Sequence, residues 1–155
     1  MKLSTRSRYG LRALVALARH EGLVVPAERL AGEEGVSKKY LDSILAALRR
    51  AGLIEAVHGA AGGYRLTRPA AEVTAADAVT VLEDGFWLVP CVECQDECDR
   101  VESCPTRDLW VAVTEAVRKE LASVSIAELA TRSKVPLGED ETGLEGGSQA
   151  RRRPG

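Results

Sequence analysis

Residues 36–66 read VSKKYLDSILAALRRAGLIEAVHGAAGGYRL. Leu41, Ile44, Leu45 and Leu48 recur at i, i+3, i+4 and i+7, the spacing of one face of a helix. Ser37 suits the N-cap, because its hydroxyl accepts from an amide that the first turn leaves unpaired. The apolar face has to turn inward, which leaves Lys38, Lys39, Asp42, Ser43, Arg49 and Arg50 largely outward. Gly52 closes the helix. Leu53–His58 and Tyr64–Thr67 then read as strands around the glycine-rich turn 59–63, and together predict a β-hairpin.

Upstream, Ser4 or Thr5 can cap a first helix in which Leu11, Leu14, Val15 and Ala18 form one apolar face, ended by Gly22. Pro26 suits the first turn of a second helix running to about Glu34, and Gly35 breaks the chain before Ser37. Helix, helix, tight turn, helix, hairpin is the order of a winged helix-turn-helix. Downstream, Thr74 caps a helix to about Glu83, and a cysteine-bearing loop spans Cys91–Cys104. Pro105 opens a longer helix to about Val124, and Ser125 caps a last short one, Ile126–Arg132. The expected class is mainly α with a small β-hairpin. Three regions are expected: a winged helix-turn-helix over 1–69, a cysteine-loop sensor and dimerisation region over 70–136, and a disordered, Gly/Glu-rich tail over 137–155.

The net charge of −2 conceals an asymmetry. Residues 1–69 hold 12 Lys/Arg against 6 Asp/Glu, a net of +6, whereas residues 70–136 hold 6 against 13, a net of −7. Only the first region is suited to meet a polyanion. No secretory signal or membrane-spanning run is legible, so a cytoplasmic, nucleoid-associated protein is expected. In a reducing compartment, four cysteines point to ligands or redox centres before structural disulfides.

A DNA-reading helix must bury one face and offer the other to the major groove. The candidate contacts are Lys2, Arg6 and Arg8 at the basic start of the chain and Ser37, Lys38, Lys39, Tyr40, Asp42 and Ser43 at the front of the third helix. His58, Gly59, Gly62, Gly63, Tyr64 and Arg65 join them in the hairpin. Lysines at a helix N-terminus suit phosphates and guanine edges, and a glycine-rich wing tip can approach the DNA backbone. Taken singly, each has a plainer reading: a basic helix face is usually just solvated, and Tyr40 and Tyr64 also suit packing. The combination with the hairpin and the +6 segment favours double-stranded DNA.

The cysteine spacing is Cys91-x2-Cys94-x3-Cys98-x5-Cys104, interleaved with Glu93, Asp96, Glu97, Asp99 and Glu102. So few apolar residues cannot fold this loop by burial, and a metal can supply the missing order. Four thiolates fit tetrahedral zinc or an iron–sulfur cluster, [4Fe–4S] or [2Fe–2S]. A disulfide pair and free thiols are the other readings. No nucleophile–base arrangement or substrate motif is present, so no enzyme activity is expected.

The chain resembles the IscR/NsrR family of winged-helix transcription regulators, the Rrf2 superfamily, over about residues 1–135. Met1–Ser4 and Arg8–Gly10, Val36–Leu41, Leu48–Ile54, Gly59–Tyr64 and Cys104–Trp110 carry the resemblance. It implies a homodimer that meets two half-sites, paired through a long helix presenting Leu109, Trp110, Val113, Ala116, Val117 and Leu121. It also implies an iron–sulfur cluster and contact with cluster-assembly proteins. Cluster-binding members usually carry three cysteines, each pair separated by five residues. Cys98 and Cys104 match the last two, while Val92 stands where the first belongs, flanked by Cys91 and Cys94. Members differ in the fourth ligand, a His or an Asp; Arg107 and Arg8 occupy those positions here. The expectation is all-cysteine ligation by Cys91, Cys94, Cys98 and Cys104, with a reduction potential below that of a His-ligated relative.

Overall fold

The computed structural model describes residues 3–83, 85, 87–94 and 98–132. Lys2, Asp96, Glu97 and the tail 137–155 lie outside them.

α1 (Thr5–Arg19) begins where Ser4 accepts from the amide of Ser7. α2 (Ala27–Glu34) starts behind Pro26 and ends at Gly35, whose left-handed φ of 64° turns the chain without a Cβ penalty. Two residues later α3 (Lys38–Arg50) opens on Ser37, whose hydroxyl accepts from the amide of Tyr40. Leu41, Ile44, Leu45 and Leu48 are each 0% exposed, so the inward face read from the spacing is the buried one.

β1 (Ile54–Val57) and β2 (Gly63–Leu66) form an antiparallel hairpin, pairing Ile54 with Leu66, Glu55 with Arg65, Ala56 with Tyr64 and Val57 with Gly63. Val25, in the α1–α2 connection, exchanges two 2.9 Å backbone hydrogen bonds with Tyr64. The wing is thereby stitched to the helical body. Gly63 shows why no side chain fits there: a Cβ would lie 2.3 Å from the carbonyl oxygen of Val25. The whole arrangement is a winged helix-turn-helix.

Beyond the wing come a 3-10 turn (Ala70–Glu72), α4 (Ala75–Leu82), the one-turn α5 (Pro90–Glu93), α6 (Arg107–Ala122) and α7 (Ile126–Arg132). The turn and α5 are absent from the sequence reading. Thr74 and Asp77 form a reciprocal capping box at α4. α6 starts at Arg107 behind Thr106, not at Pro105, and ends at Ala122. α4 and α7 both pack on α1, and Val73, Ala78, Leu82 and Ile126 share one core with Leu14, Leu17, Leu30 and Leu45. Backbone bonds from Ala75 N to Val124 O (2.9 Å) and from Ile126 N to Val73 O (2.8 Å) tie the end of α6 to the start of α4.

Candidate nucleic-acid interface and cysteine loop

Ser37, Lys38, Lys39 and Ser43 stand exposed at the front of α3. Lys38 is not a free cation. Its Nζ lies 2.9 Å from Asp42 Oδ2 and 3.7 Å from Glu28 Oε1 on α2. The hydrogen bond to Asp42, then its charge, holds the ammonium above its ordinary range. Among the described residues Lys39 has no acid within ion-pair distance, so its charge faces outward uncompensated. Ser43 is half-engaged, donating 2.7 Å back to the carbonyl of Tyr40. Tyr40 is half-buried. Its hydroxyl lies 3.0 Å from Thr5 Oγ1, and its ring meets that of Tyr9 edge-on at 6.0 Å. It links α3 to α1, a packing duty that leaves one edge at the surface.

The other candidates divide by element. Arg6 and Arg8 lie on the first turns of α1, Arg8 exposed and 6.0 Å from the Tyr9 ring centroid. In the wing, Arg65 Nε is 2.7 Å from Glu55 Oε1, its cross-strand neighbour. A phosphate would have to draw it away from that exposed partner. His58 is exposed at the end of β1, and Gly59 and Gly62 close the tip through a 3.0 Å backbone bond. At Gly62 a Cβ would meet the Val57 carbonyl oxygen at 2.7 Å, so its glycine is needed for the turn itself. Tyr64 is half-buried at the join to Val25.

The four cysteines are all free thiols. Cys91 sits on α5, Cys94 caps its end, Cys98 lies in the following loop, and Cys104 precedes α6. α5 packs against α6, which brings the two ends of the loop to the same helix. Among the described residues no three His, Cys, Asp or Glu side chains gather as a metal centre requires. Cys104 is biased toward losing its proton. The Thr106 hydroxyl, 3.4 Å away, and then the Thr106 amide hold it below its ordinary value. A thiolate is the ligating form. Arg107 and Arg8, where the resemblance implies a His or an Asp ligand, offer no lone pair to a metal.

α6 exposes an apolar face. Leu109 is 56%, Trp110 38% and Val113 37% exposed, and Thr114 is the helix's one buried residue. Ala116 is exposed, while Val117 and Leu121 are half-buried on the same stretch. Large apolar side chains aligned on an uncovered helix mark an interaction surface.

Residues 3–132 match the family model Rrf2, iron-dependent transcriptional regulator. The chain belongs to the Rrf2 family. It is a DNA-binding transcription regulator and not an enzyme. The protein rrf2 of Nitratidesulfovibrio vulgaris is 38% identical over 130 residues, 83% of this chain and 87% of that protein. The regulator IscR of Xenorhabdus nematophila is 31% identical over 137 residues, 87% of this chain and 82% of that one. Among solved structures, CymR, the global cysteine regulator of Bacillus subtilis, superposes with a TM-score of 0.72 at 31% identity, covering 86% of this chain and 99% of its own. The Rrf2 family description names iron, whereas that of the CymR structure names cysteine. No helix among the described residues is long and apolar enough to cross a membrane.

Proposed function

We propose that this Rrf2 regulator binds a two-half-site operator as a homodimer, and that an iron–sulfur cluster held by Cys91, Cys94, Cys98 and Cys104 sets its affinity. The observation that carries this reading is the placement of four free thiols between the DNA-reading body and the exposed helix α6. The donor chemistry suits a cluster: all four are sulfur, none is tied in a disulfide, and Cys104 is biased toward its thiolate. A bound cluster would supply a redox- and nitric-oxide-sensitive centre. Ordering this loop would fix how α5 meets α6, and with it the orientation of one protomer against the other. Affinity responds steeply to that orientation because both recognition helices must fit the major groove together.

In this reading Lys39, Lys38, Ser37 and Ser43 meet the major groove with Tyr40 and Asp42 behind them. Arg6 and Arg8 meet phosphates, as would Lys2. The wing, with His58, Gly59, Gly62, Gly63, Tyr64 and Arg65, meets the adjacent minor groove. Leu109, Trp110, Val113, Ala116, Val117 and Leu121 form the dimer contact. Loading would depend on cluster-assembly proteins.

A cluster-free regulator is the second reading. It is favoured by the similarity to CymR, a cysteine regulator. Anaerobic purification followed by assay of iron, zinc and acid-labile sulfide per chain separates the two. Matched iron and sulfide, with a weaker operator complex after either Cys91→Ala or Cys104→Ala, is the expected result. Zinc without sulfide, or no metal after reconstitution, overturns the cluster.

A further inference from the structure

Ser7 is a serine with 0% exposure in the first turn of α1, and burying a hydroxyl requires an acceptor. That acceptor comes from a distant part of the chain. Glu83 Oε1 accepts from the Ser7 hydroxyl, from Ser4 Oγ at 2.8 Å and from the Ser4 amide at 2.9 Å. Three donors from the start of one helix thus converge on one carboxylate oxygen, with the Arg6 guanidinium adding favourable charge. A negative charge there also meets the positive end of the helix dipole.

Glu83 is the C-cap of α4, the last position of the body before the chain sets off toward Cys91. The departure is fixed too: the amide of Gly85 donates 2.9 Å back to Thr80 O, with φ at 114°. On the other side, the same first turn of α1 grips the recognition helix. Thr5 Oγ1 lies 3.0 Å from Tyr40 Oη, and the Tyr9 and Tyr40 rings stand at 89°. The path from the root of the cysteine loop to the front of α3 therefore consists of Glu83, the turn Ser4–Ser7, Thr5 and Tyr40.

We propose that Glu83 is a positioning residue for DNA reading, holding the first turn of α1 so that Thr5 and Tyr9 set the recognition helix, and that this contact carries the state of the cysteine loop to the DNA face. The second half rests on the loop being the sensor; the first half does not.

The test uses the full chain and an operator selected by the wild type from random-sequence DNA. Glu83→Ala should weaken operator binding about tenfold, a loss on the scale of one charge-assisted hydrogen-bond group. Non-specific DNA binding at low salt should stay within twofold, because the surface cations remain. Glu83→Gln, which keeps the acceptor oxygen, should recover most of the loss. Thr5→Val should lower specificity severalfold, and combining it with Glu83→Ala should add little. An equal fall in specific and non-specific binding, or no rescue by Glu83→Gln, would reduce Glu83 to a stability residue and overturn the proposal. If Glu83→Ala does not fold, Thr5→Val alone decides: unchanged specificity overturns it. For the coupling, wild type and Glu83→Ala are compared in anaerobically loaded and chelator-stripped forms, and the variant's response should shrink. A wild type whose affinity ignores loading overturns the sensor reading and the coupling together, while the specificity loss in Glu83→Ala still stands or falls on its own.

Discussion

Two carboxylates against α1 respond to pH in opposite senses. Glu34 is nearly covered, its side chain 8% exposed, with Arg12 Nε 2.5 Å from Oε2. Burial raises its proton affinity, and the Arg12 charge only partly offsets that. At Glu83 burial pushes the same way, but the hydroxyls of Ser7 and Ser4, the Ser4 amide and Arg6 outweigh it and hold the carboxyl below its ordinary value of 4.5. A group lowered on folding adds stability above its unfolded value, and that share is lost as pH falls toward the lowered value. A raised group does the reverse, costing stability as pH climbs past 4.5. Denaturant unfolding between about pH 3.5 and about pH 7 should therefore show the Glu83→Gln deficit shrinking below pH 4.5. Glu34→Gln should gain on the wild type as pH rises above 4.5. A deficit at Glu83→Gln that does not change with pH would show that its charge plays no part. Sterics give a sharper case at Gly63. The obstacle is the Val25–Pro26 backbone, which cannot swing aside as a side chain could, so Gly63→Ala should cost about 2 kcal/mol and loosen the wing, seen as a lower unfolding midpoint.

At the scale of elements, α3 combines a cap, a buried face and a cationic front, each separable by mutation. Ser37→Ala removes the acceptor for the Tyr40 amide and should cost about 1 kcal/mol of stability. Lys39→Ala should leave stability unchanged and reduce the slope of log affinity against log salt by about 1 if Lys39 meets a phosphate. An unaltered slope would mean that Lys39 faces solvent in the complex. α3 was the most legible element because its apolar period, its cap and its closing glycine agree. The α6 stripe was equally legible, since Leu109 and Val113 share a face whether or not a partner covers it. The return of α7 to α1 was not, because Ile126 next to a serine says nothing about which distant helix it meets. Neither was Glu83, which reads as an ordinary helix-end acid; a buried serine in the first turn of α1 was the only hint, and burial is invisible in a sequence. Lys38 and Arg65 were legible as cations, but their partners Asp42, Glu28 and Glu55 were not assigned. α5 escaped because a four-residue helix carries no period.

For the molecule as a whole, the question is what covers α6. The helix runs from the cysteine loop at one end to the Val73–Ile126 backbone ties at the other, touching the body chiefly through α4. A chain that exposes Leu109, Trp110 and Val113 together gains by covering them, and a second copy meeting α6 on α6 does so symmetrically. In the proposed dimer that pairing would also set the distance between two recognition helices, which must match one or more turns of DNA. Val113→Asp places a charge in the middle of the proposed contact while leaving the body core untouched, since Val113 is not part of it. The expected outcome is a folded monomer by light scattering, with near-wild-type helical content. It should bind a single half-site much as the wild type does but lose the full operator's added affinity by about a hundredfold or more, because the second half-site no longer joins intramolecularly. Moving the half-sites of the wild-type operator apart by about 5 base pairs, half a helical turn, should reproduce that loss without any mutation. A Val113→Asp protein that remains dimeric and binds the full operator normally would place the subunit contact elsewhere and leave the apolar face of α6 for a different partner.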